Sequence, residues 1–373
     1  MLRILYVYPQ HHTVSFTLVA KKHIEYMRKD HLSIIHEMDE LSFPSFRPFF
    51  RYITILHPWI FIFHRVIQYY DKAVVSSLKD RISYYLDLFL KQFDRLVAVD
   101  VCDSDRMSDY AVNLLNYADK IIVPSSFCKQ VYESSGVKKP IERIPHGVDP
   151  EWFTTRNVWE ISSVKDINPI LLELFLYKTV KRKKILLFFL WHSPERKGWN
   201  EVRQAYEILS RERKDVVLVL KTYSFNSPQF QEVMHLGAIQ VYGWLNDYEK
   251  MALYDISDIT LNFSRGGSFE INCLESLARG IPCIAHDRGS WIDYLPDFLK
   301  VKTGDKVKVF NDNVIHVGYG YKIDVEDAVD KIHDILDNYD DYKAKLEEWR
   351  QKVLYNEYRW DLIAKKLFET INN

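Results

Sequence analysis

The sequence predicts an α/β protein built from two doubly wound domains, each a parallel sheet covered by helices. Three observations carry this expectation. Short apolar runs, stopped by Pro or by polar residues, recur along the chain and suit buried parallel strands. Segments at helical spacing lie between them, so strand–helix–strand units repeat from the first residues onward. Residues 149–184 interrupt the alternation, and a second series begins after them.

Residues 2–8 form a continuous apolar run ended by Pro9, which reads as the first strand. Residues 15–29 place Phe16, Val19, Ala20, Ile24 and Met27 at helical spacing, and 32–38 read as a second strand. The aromatic stretch 43–91 has a mostly helical pattern broken at Pro44, Pro48 and Pro58. Then come a strand at 95–101, a helix at 108–117 and a strand at 120–123 stopped by Pro124. A helix at 126–133 ends near Gly136, and 141–144 read as a short strand. The interdomain stretch holds a helix at 169–179 and the basic run 181–184. The second series follows: strands at 184–190, 216–220, 239–241, 259–262 and 282–285, with helices at 201–211, 247–255 and around 273–278. Helices at 325–339, 342–358 and 360–371 close the chain.

Composition narrows the function. The 373 residues suit about two domains. Lys+Arg is 50 and Asp+Glu is 51, so the basic excess expected of a nucleic-acid binder is missing, and no nucleic-acid partner is expected. The four cysteines, Cys102, Cys128, Cys273 and Cys283, form no CxxC pair. That argues against a zinc or redox site and for buried thiols in a reducing compartment. The first apolar run is too short for a signal peptide. The longest uncharged apolar stretch, 52–64, is too short to span a bilayer. A cytoplasmic protein is expected. Residues 47–65 mix aromatics with Arg, which suits peripheral contact at the membrane's inner face or with a lipid-linked acceptor. The same composition suits an ordinary core helix with Arg at its ends.

Four segments at strand ends stand out. They are 118–127; Ile144-Pro145-His146-Gly147 with its continuation to Phe153; Ser193-Pro194-Glu195-Arg196-Lys197-Gly198; and 266–282, which opens Gly266-Gly267-Ser268-Phe269-Glu270 and contains Glu275. Together and in this order they resemble the retaining, nucleotide-sugar-dependent glycosyltransferases known as glycosyl transferases group 1, or family 4. The resemblance runs from about residue 95 to the C-terminus, where Tyr358-Arg359-Trp360 looks like the family's closing segment.

The resemblance implies a GT-B fold, with two Rossmann-like domains and the cleft between them. It implies an acceptor-side domain at 1–165, a nucleotide-sugar domain at 166–355 and a C-terminal helix, 356–373, returning to the first. The implied activity moves a hexose from a UDP- or GDP-sugar to a hydroxyl acceptor, a glycan or a lipid-linked one, with retention. No cofactor is held permanently.

A diphosphate needs cations and backbone N–H donors. By resemblance Lys197 holds it. Five residues earlier the family often has an Arg within a Gly-Arg pair; here stand Trp191 and His192, so His192 or Arg196 supplies the second cation. The Gly266-Gly267 backbone can approach phosphate closely, or is a plain tight turn. Glu275 matches the family's ribose-binding Glu. Its upstream partner, eight residues back, is replaced by Gly267, and Glu270 reads as a displaced sugar-facing carboxylate or as a helix N-terminal Glu complementing the dipole. In the first domain Asp100 matches a His near the anomeric carbon. Asp103-Ser104-Asp105 is formally a DxD, or a cap for the next helix. His146-Gly147 has a positioning role, and His11 and His12 follow the first strand. No divalent metal is expected, since Lys197 and helix dipoles take its place. A sugar-nucleotide 2-epimerase of the same fold and a degenerate binding scaffold are the rival readings.

Overall fold

Parallel strands dominate both halves of the protein, whose computed structural model describes residues 2–10, 15–29, 33–39, 60–64, 95–154 and 168–373. His11, His12 and the stretch 47–65, apart from 60–64, lie outside the described residues. The chain divides into two compact units.

Unit one comprises Met1–Gly147, Lys308–Tyr319 and Tyr358–Asn373. Its elements up to residue 147 are β1 (Leu2–Tyr8), α1 (Ser15–Lys29), β2 (Ser33–Asp39), β3 (Ile60–His64), β4 (Arg95–Val99), α2 (Asp109–Leu115), β5 (Lys120–Val123), α3 (Ser126–Ser135) and β6 (Ile141–Arg143). The sheet order is β2-β1-β3-β4-β5-β6, and every neighbouring pair is parallel. Residues 60–64 do not follow the helical pattern expected of 43–91. They form β3, with Ile60 and Ile62 buried between β1 and β4. A β-branched run that can pair on both edges takes the strand, because pairing and burial outweigh helical spacing.

Residues 308–319 are held to this unit by backbone. Ser108 N–H donates to Ile315 C=O, and Met107 bridges His316. Gly318 has no room for a side chain, since a Cβ there would meet the Arg106 nitrogen at 2.5 Å.

Unit two comprises Val148–Val307 and Gly320–Glu357. It contains α4 (Pro169–Thr179), β7 (Lys184–Leu190), α5 (Trp199–Glu212), β8 (Val216–Thr222), α6 (Pro228–Met234), β9 (Ile239–Tyr242), α7 (Asp247–Ile256), β10 (Ile259–Asn262), α8 (Ile271–Ala278), β11 (Cys283–His286) and β12 (Lys300–Val301). The two-stranded sheet of β13 (Thr303–Lys308) and β14 (Tyr319–Ile323) follows, and then α9 (Val325–Asp337) and α10 (Tyr339–Trp349). After a short helical piece, Tyr355–Glu357, the last helix α11 (Trp360–Asn372) packs on α1 in unit one.

The second sheet runs β12-β11-β10-β7-β8-β9, with all pairs parallel. Every residue of β8 is buried, as expected for a strand covered on both faces. The chain moves outward from β7 in one direction through β8 and β9, then returns to β10 and moves the other way. The crevice between the carboxyl ends of β7 and β10 is therefore the topological switch point, where open α/β sheets bind ligands.

Two arginines hold the start of this unit. Arg279, whose side chain is fully buried, pairs with Asp255 at 2.7 Å and donates to the Trp152 and Thr154 carbonyls. Arg350 donates to the Phe153 and Ala278 carbonyls. Residues 342–358 are not the single helix expected. The helix widens to a π turn over Arg350–Leu354, where the Arg350 side chain turns inward. No helix among the described residues is long and apolar enough to cross a membrane.

Acid should weaken unit one through two histidines. His23 and His146 are buried beside Trp360, and burial drives each imidazole from 6.5 down to about 3. Both are neutral in the fold, and the unfolded chain takes up their protons first. The stability they confer is present above pH 6.5 and is lost as pH falls toward 3. Thermal melts from pH 7 to 4 should therefore fall more steeply for the wild type than for His146→Leu, by about one proton's worth of slope. Equal slopes would rule out a buried neutral His146.

Candidate functional site

Two loops meet at the switch point. One leaves β7 at Trp191 and enters α5 after Gly198; the other leaves β10 and enters α8 after Glu270. Gly198 is left-handed at φ 74°, and a Cβ there would lie 2.0 Å from the Phe263 carbonyl oxygen. Only glycine lets the first loop come this close. The Arg265 N–H then donates to the Arg196 carbonyl at 2.7 Å, locking loop to loop.

The lock assembles a charge cluster. Lys197 Nζ lies 2.6 Å from Glu270 Oε2, and an Arg196 guanidinium nitrogen lies 3.7 Å from Glu270 Oε1. Arg196 also donates to the Gly266 carbonyl at 3.0 Å. The Glu270 side chain is only 7% exposed. Glu270 stands at the N-cap of α8 but makes no capping hydrogen bond. Its carboxylate folds back instead: a Cβ on Gly267 would meet Glu270 Oε1 at 2.4 Å. The carboxylate thus fills the space into which a side chain at position 267 would project. Behind the pair is a small cavity lined by Thr260, Asn262, Ser264, Asn272 and Cys273.

Glu275, one helical turn further on, is buried with both oxygens engaged. Lys250 reaches Oε1 at 2.7 Å and Oε2 at 2.6 Å, and Tyr254 OH donates to Oε2 at 2.8 Å. Burial raises its carboxyl pKa, and Lys250 and Tyr254 oppose that rise. Lys250 and Lys221 were not singled out from the sequence. Lys221 is the next-to-last residue of β8 and is itself buried; it donates to the Thr222 carbonyl at 3.2 Å and to the Gly243 carbonyl. Burial, and then the charge of Lys250, lower its pKa to about 8. A lysine closing a run of buried Val and Leu was the available signal.

Among the other sequence candidates, His192 is exposed, with Nδ1 2.9 Å from Ser193 Oγ. Of the two candidates for a second cation, Arg196 is the one brought to Glu270. Asp100 is fully buried, and Oδ1 accepts from the Val101 N–H at 2.8 Å. His146 and Gly147 lie in unit one, where a Cβ on Gly147 would come within 2.9 Å of the Tyr358 carbonyl. Asp105 accepts from the Tyr319 N–H at 2.6 Å, and Ser104 Oγ accepts from Gly318 N–H, so the DxD secures the 308–319 segment. Among the described residues no group of three or more His, Cys, Asp or Glu could hold a metal ion. All four cysteines are buried thiols outside any disulfide.

Residues 177–353 match the family described as glycosyl transferases group 1. Over 370 residues the chain is 33% identical to "Uncharacterized protein 356" of Sulfolobus islandicus rod-shaped virus 1, covering 96% of this chain and 97% of that one. Sucrose-phosphate synthase from Thermosynechococcus elongatus superposes with a TM-score of 0.69 at 12% identity, covering 100% of this chain and 98% of that one. The E. coli structure described as trehalose-6-phosphate bound with UDP-2-fluoro glucose gives a TM-score of 0.63 at 10% identity, covering 100% and 99%. At such identities these two show a shared fold.

Breaking the buried pair should be costly. Glu270→Ala leaves Lys197 and Arg196 facing each other without their carboxylate and should lose about 3–5 kcal/mol of stability. Lys197→Met combined with Glu270→Leu should cost less, because the lysine charge leaves with its partner and Arg196 keeps the Gly266 carbonyl. Denaturant unfolding of the three proteins checks this, and equal losses would mean that the pair does not couple.

Proposed function

We propose, for a chain that belongs to one family with the rod-shaped virus protein and carries a group 1 glycosyltransferase domain of GT-B fold, transfer of a hexose from a nucleoside diphosphate sugar to a hydroxyl acceptor with retention of configuration. The observation that supports this reading is the cluster of Lys197, Arg196 and Glu270 at the β7/β10 switch point. A diphosphate brings negative charge that replaces Glu270 as the partner of Lys197. Arg196 and the Gly266-Gly267 backbone add donors. Glu270, released from Lys197, turns to the sugar hydroxyls. Glu275, fixed by Lys250 and Tyr254, offers its remaining lone pairs to the ribose.

In the transfer, the bond from the anomeric carbon to the phosphate oxygen breaks. A bond from that carbon to the acceptor oxygen forms on the same face, and the acceptor proton passes to the departing phosphate. The products are the glycoside and a nucleoside diphosphate. Charge builds on the leaving phosphate, and preorganised cations stabilise it without a strong protein base. Unit two is the donor side in this reading. Unit one, with the helix α11, is the acceptor side, taking a glycan or a lipid-linked alcohol. The complete burial of Asp100 favours a part in the fold of unit one rather than in the chemistry.

Four measurements test this. Lys197→Ala should lower turnover by ~10²–10³ while leaving the circular dichroism spectrum unchanged. Wild-type turnover in that variant would end the diphosphate assignment. Glu270→Gln should tighten the binding of the bare nucleoside diphosphate, by removing a competing anion, and lower turnover with the intact donor; weaker diphosphate binding would contradict the exchange. Turnover should also be unaffected by EDTA, since Lys197 and Arg196 supply the cations. Nucleotide released from a donor panel only when acceptor is added separates transfer from epimerisation, which needs none.

A further inference from the structure

Asp103-Ser104-Asp105 takes no part in the transfer chemistry, yet it fastens a strap. Residues 308–319 belong to unit one, although β13 begins and β14 ends in unit two. The chain leaves unit two at the end of β13, is fastened in unit one, and returns along β14. Asp105 and Tyr319 exchange two hydrogen bonds. The Asp105 N–H donates to the Tyr319 carbonyl at 2.9 Å, and the Tyr319 N–H donates to Asp105 Oδ1 at 2.6 Å. The Gly318 N–H donates to Ser104 Oγ at 3.2 Å. A Cβ on Gly318 would meet Asp105 Oδ1, so the clasp closes only on glycine.

Two residues past the clasp, the same strand reaches the donor loops. Within unit two the Tyr321 N–H donates to the Arg265 carbonyl at 2.8 Å. Arg265 immediately precedes Gly266 and is a junction. Its N–H goes to the Arg196 carbonyl at 2.7 Å, and its guanidinium reaches Glu195 at 3.2 Å and the buried Glu201 at 3.0 Å. Lys322, next along β14, approaches Glu201 at 3.9 Å. The Arg265 carbonyl and the Gly266 N–H belong to one planar trans peptide. Fixing the carbonyl on Tyr321 therefore fixes the direction of the Gly266 N–H. A shift of β14 turns that donor.

We propose that Asp105 is a positioning residue of the donor site: through the strap it sets the Arg265–Gly266 peptide and so aims the Gly266 N–H at the diphosphate. This rests on the reading of Lys197, Arg196 and the Gly266-Gly267 backbone as the diphosphate site. Donor binding in unit two then depends on an aspartate of unit one. Loop donors are imprecise unless the backbone beneath them is held, and here the hold on one side is anchored outside the unit that binds.

The test uses the full chain, with inorganic pyrophosphate as the probe of the diphosphate site. Asp105→Ala opens the clasp by removing its acceptor, and Gly318→Ala opens it by filling the space. Each should weaken pyrophosphate binding in calorimetry by roughly 2- to 30-fold and lower turnover. Asp105→Asn keeps an acceptor oxygen and should bind as the wild type does. Hydrogen exchange separates positioning from loss of fold. In both clasp variants the amides of 319–322 and 263–267 should exchange faster, while those of β5 in unit one and β8 in unit two keep wild-type protection. The proposal is overturned if both variants bind pyrophosphate normally, if Asp105→Asn loses as much as Asp105→Ala, or if β5 loses protection along with the strap. The diphosphate reading fails separately, if pyrophosphate binding is indifferent to Lys197→Ala; faster exchange at 263–267 still reports the strap's hold in that case.

Discussion

The closeness of two backbones organises unit two. Gly198 passes so near the end of β10 that any Cβ would collide with the Phe263 carbonyl. The Arg265–Arg196 backbone hydrogen bond holds that approach in place. Lys197 and Arg196 are its immediate neighbours in sequence, and the β10–α8 loop brings Gly266, Gly267 and Glu270 to meet them. Neither loop alone makes a site. Side chains on a loop are imprecise unless the backbone beneath them is fixed, and here a steric limit fixes it.

Electrostatics follows from that geometry. Two cations brought to a buried strand end need a counter-charge, and Glu270 supplies it from inside the same cluster. A second such group lies nearby, where Glu275 takes Lys250 and Tyr254. Lys221, which feels the charge of Lys250, has carbonyl partners only. Two cations against one carboxylate leave the Glu270 cluster net positive, and Lys221 adds a positive charge at the end of β8. An anionic ligand gains most where it completes a pairing, and burial of these groups keeps solvent from screening the gain.

The sequence revealed the elements whose burial is simple. Continuous apolar runs at 2–8, 120–123 and 184–190 became β1, β5 and β7, because strands covered on both faces leave no polar alternation. Elements with mixed environments were harder to read. β13, Thr-Gly-Asp-Lys-Val-Lys, is largely exposed and carries no apolar period. Residues 60–64 looked helical because their neighbours in sequence are aromatic, while their partners in space, β1 and β4, lie far away along the chain. At the site, Lys197 and Glu270 stood out through motif position. Their 2.6 Å contact spans 73 residues and was invisible. Lys221 and Lys250 went unnoticed because a charge that ends a strand or opens a helix is common, and only the fold shows that these two are neighbours.

Glu270 also carries an evolutionary consequence. Its carboxylate occupies the volume above the Gly267 Cα, so the two positions share one space. A side chain gained at 267 can enter only as the Glu270 carboxylate turns away from it. An acid gained at 267 first would stand against the Glu270 carboxylate; losing the one at 270 first would take from Lys197 and Arg196 the carboxylate they share. Both intermediates are disfavoured, which makes the placement historically sticky. Descendants should keep glycine at 267 and glutamate at 270 as a unit, or exchange both together.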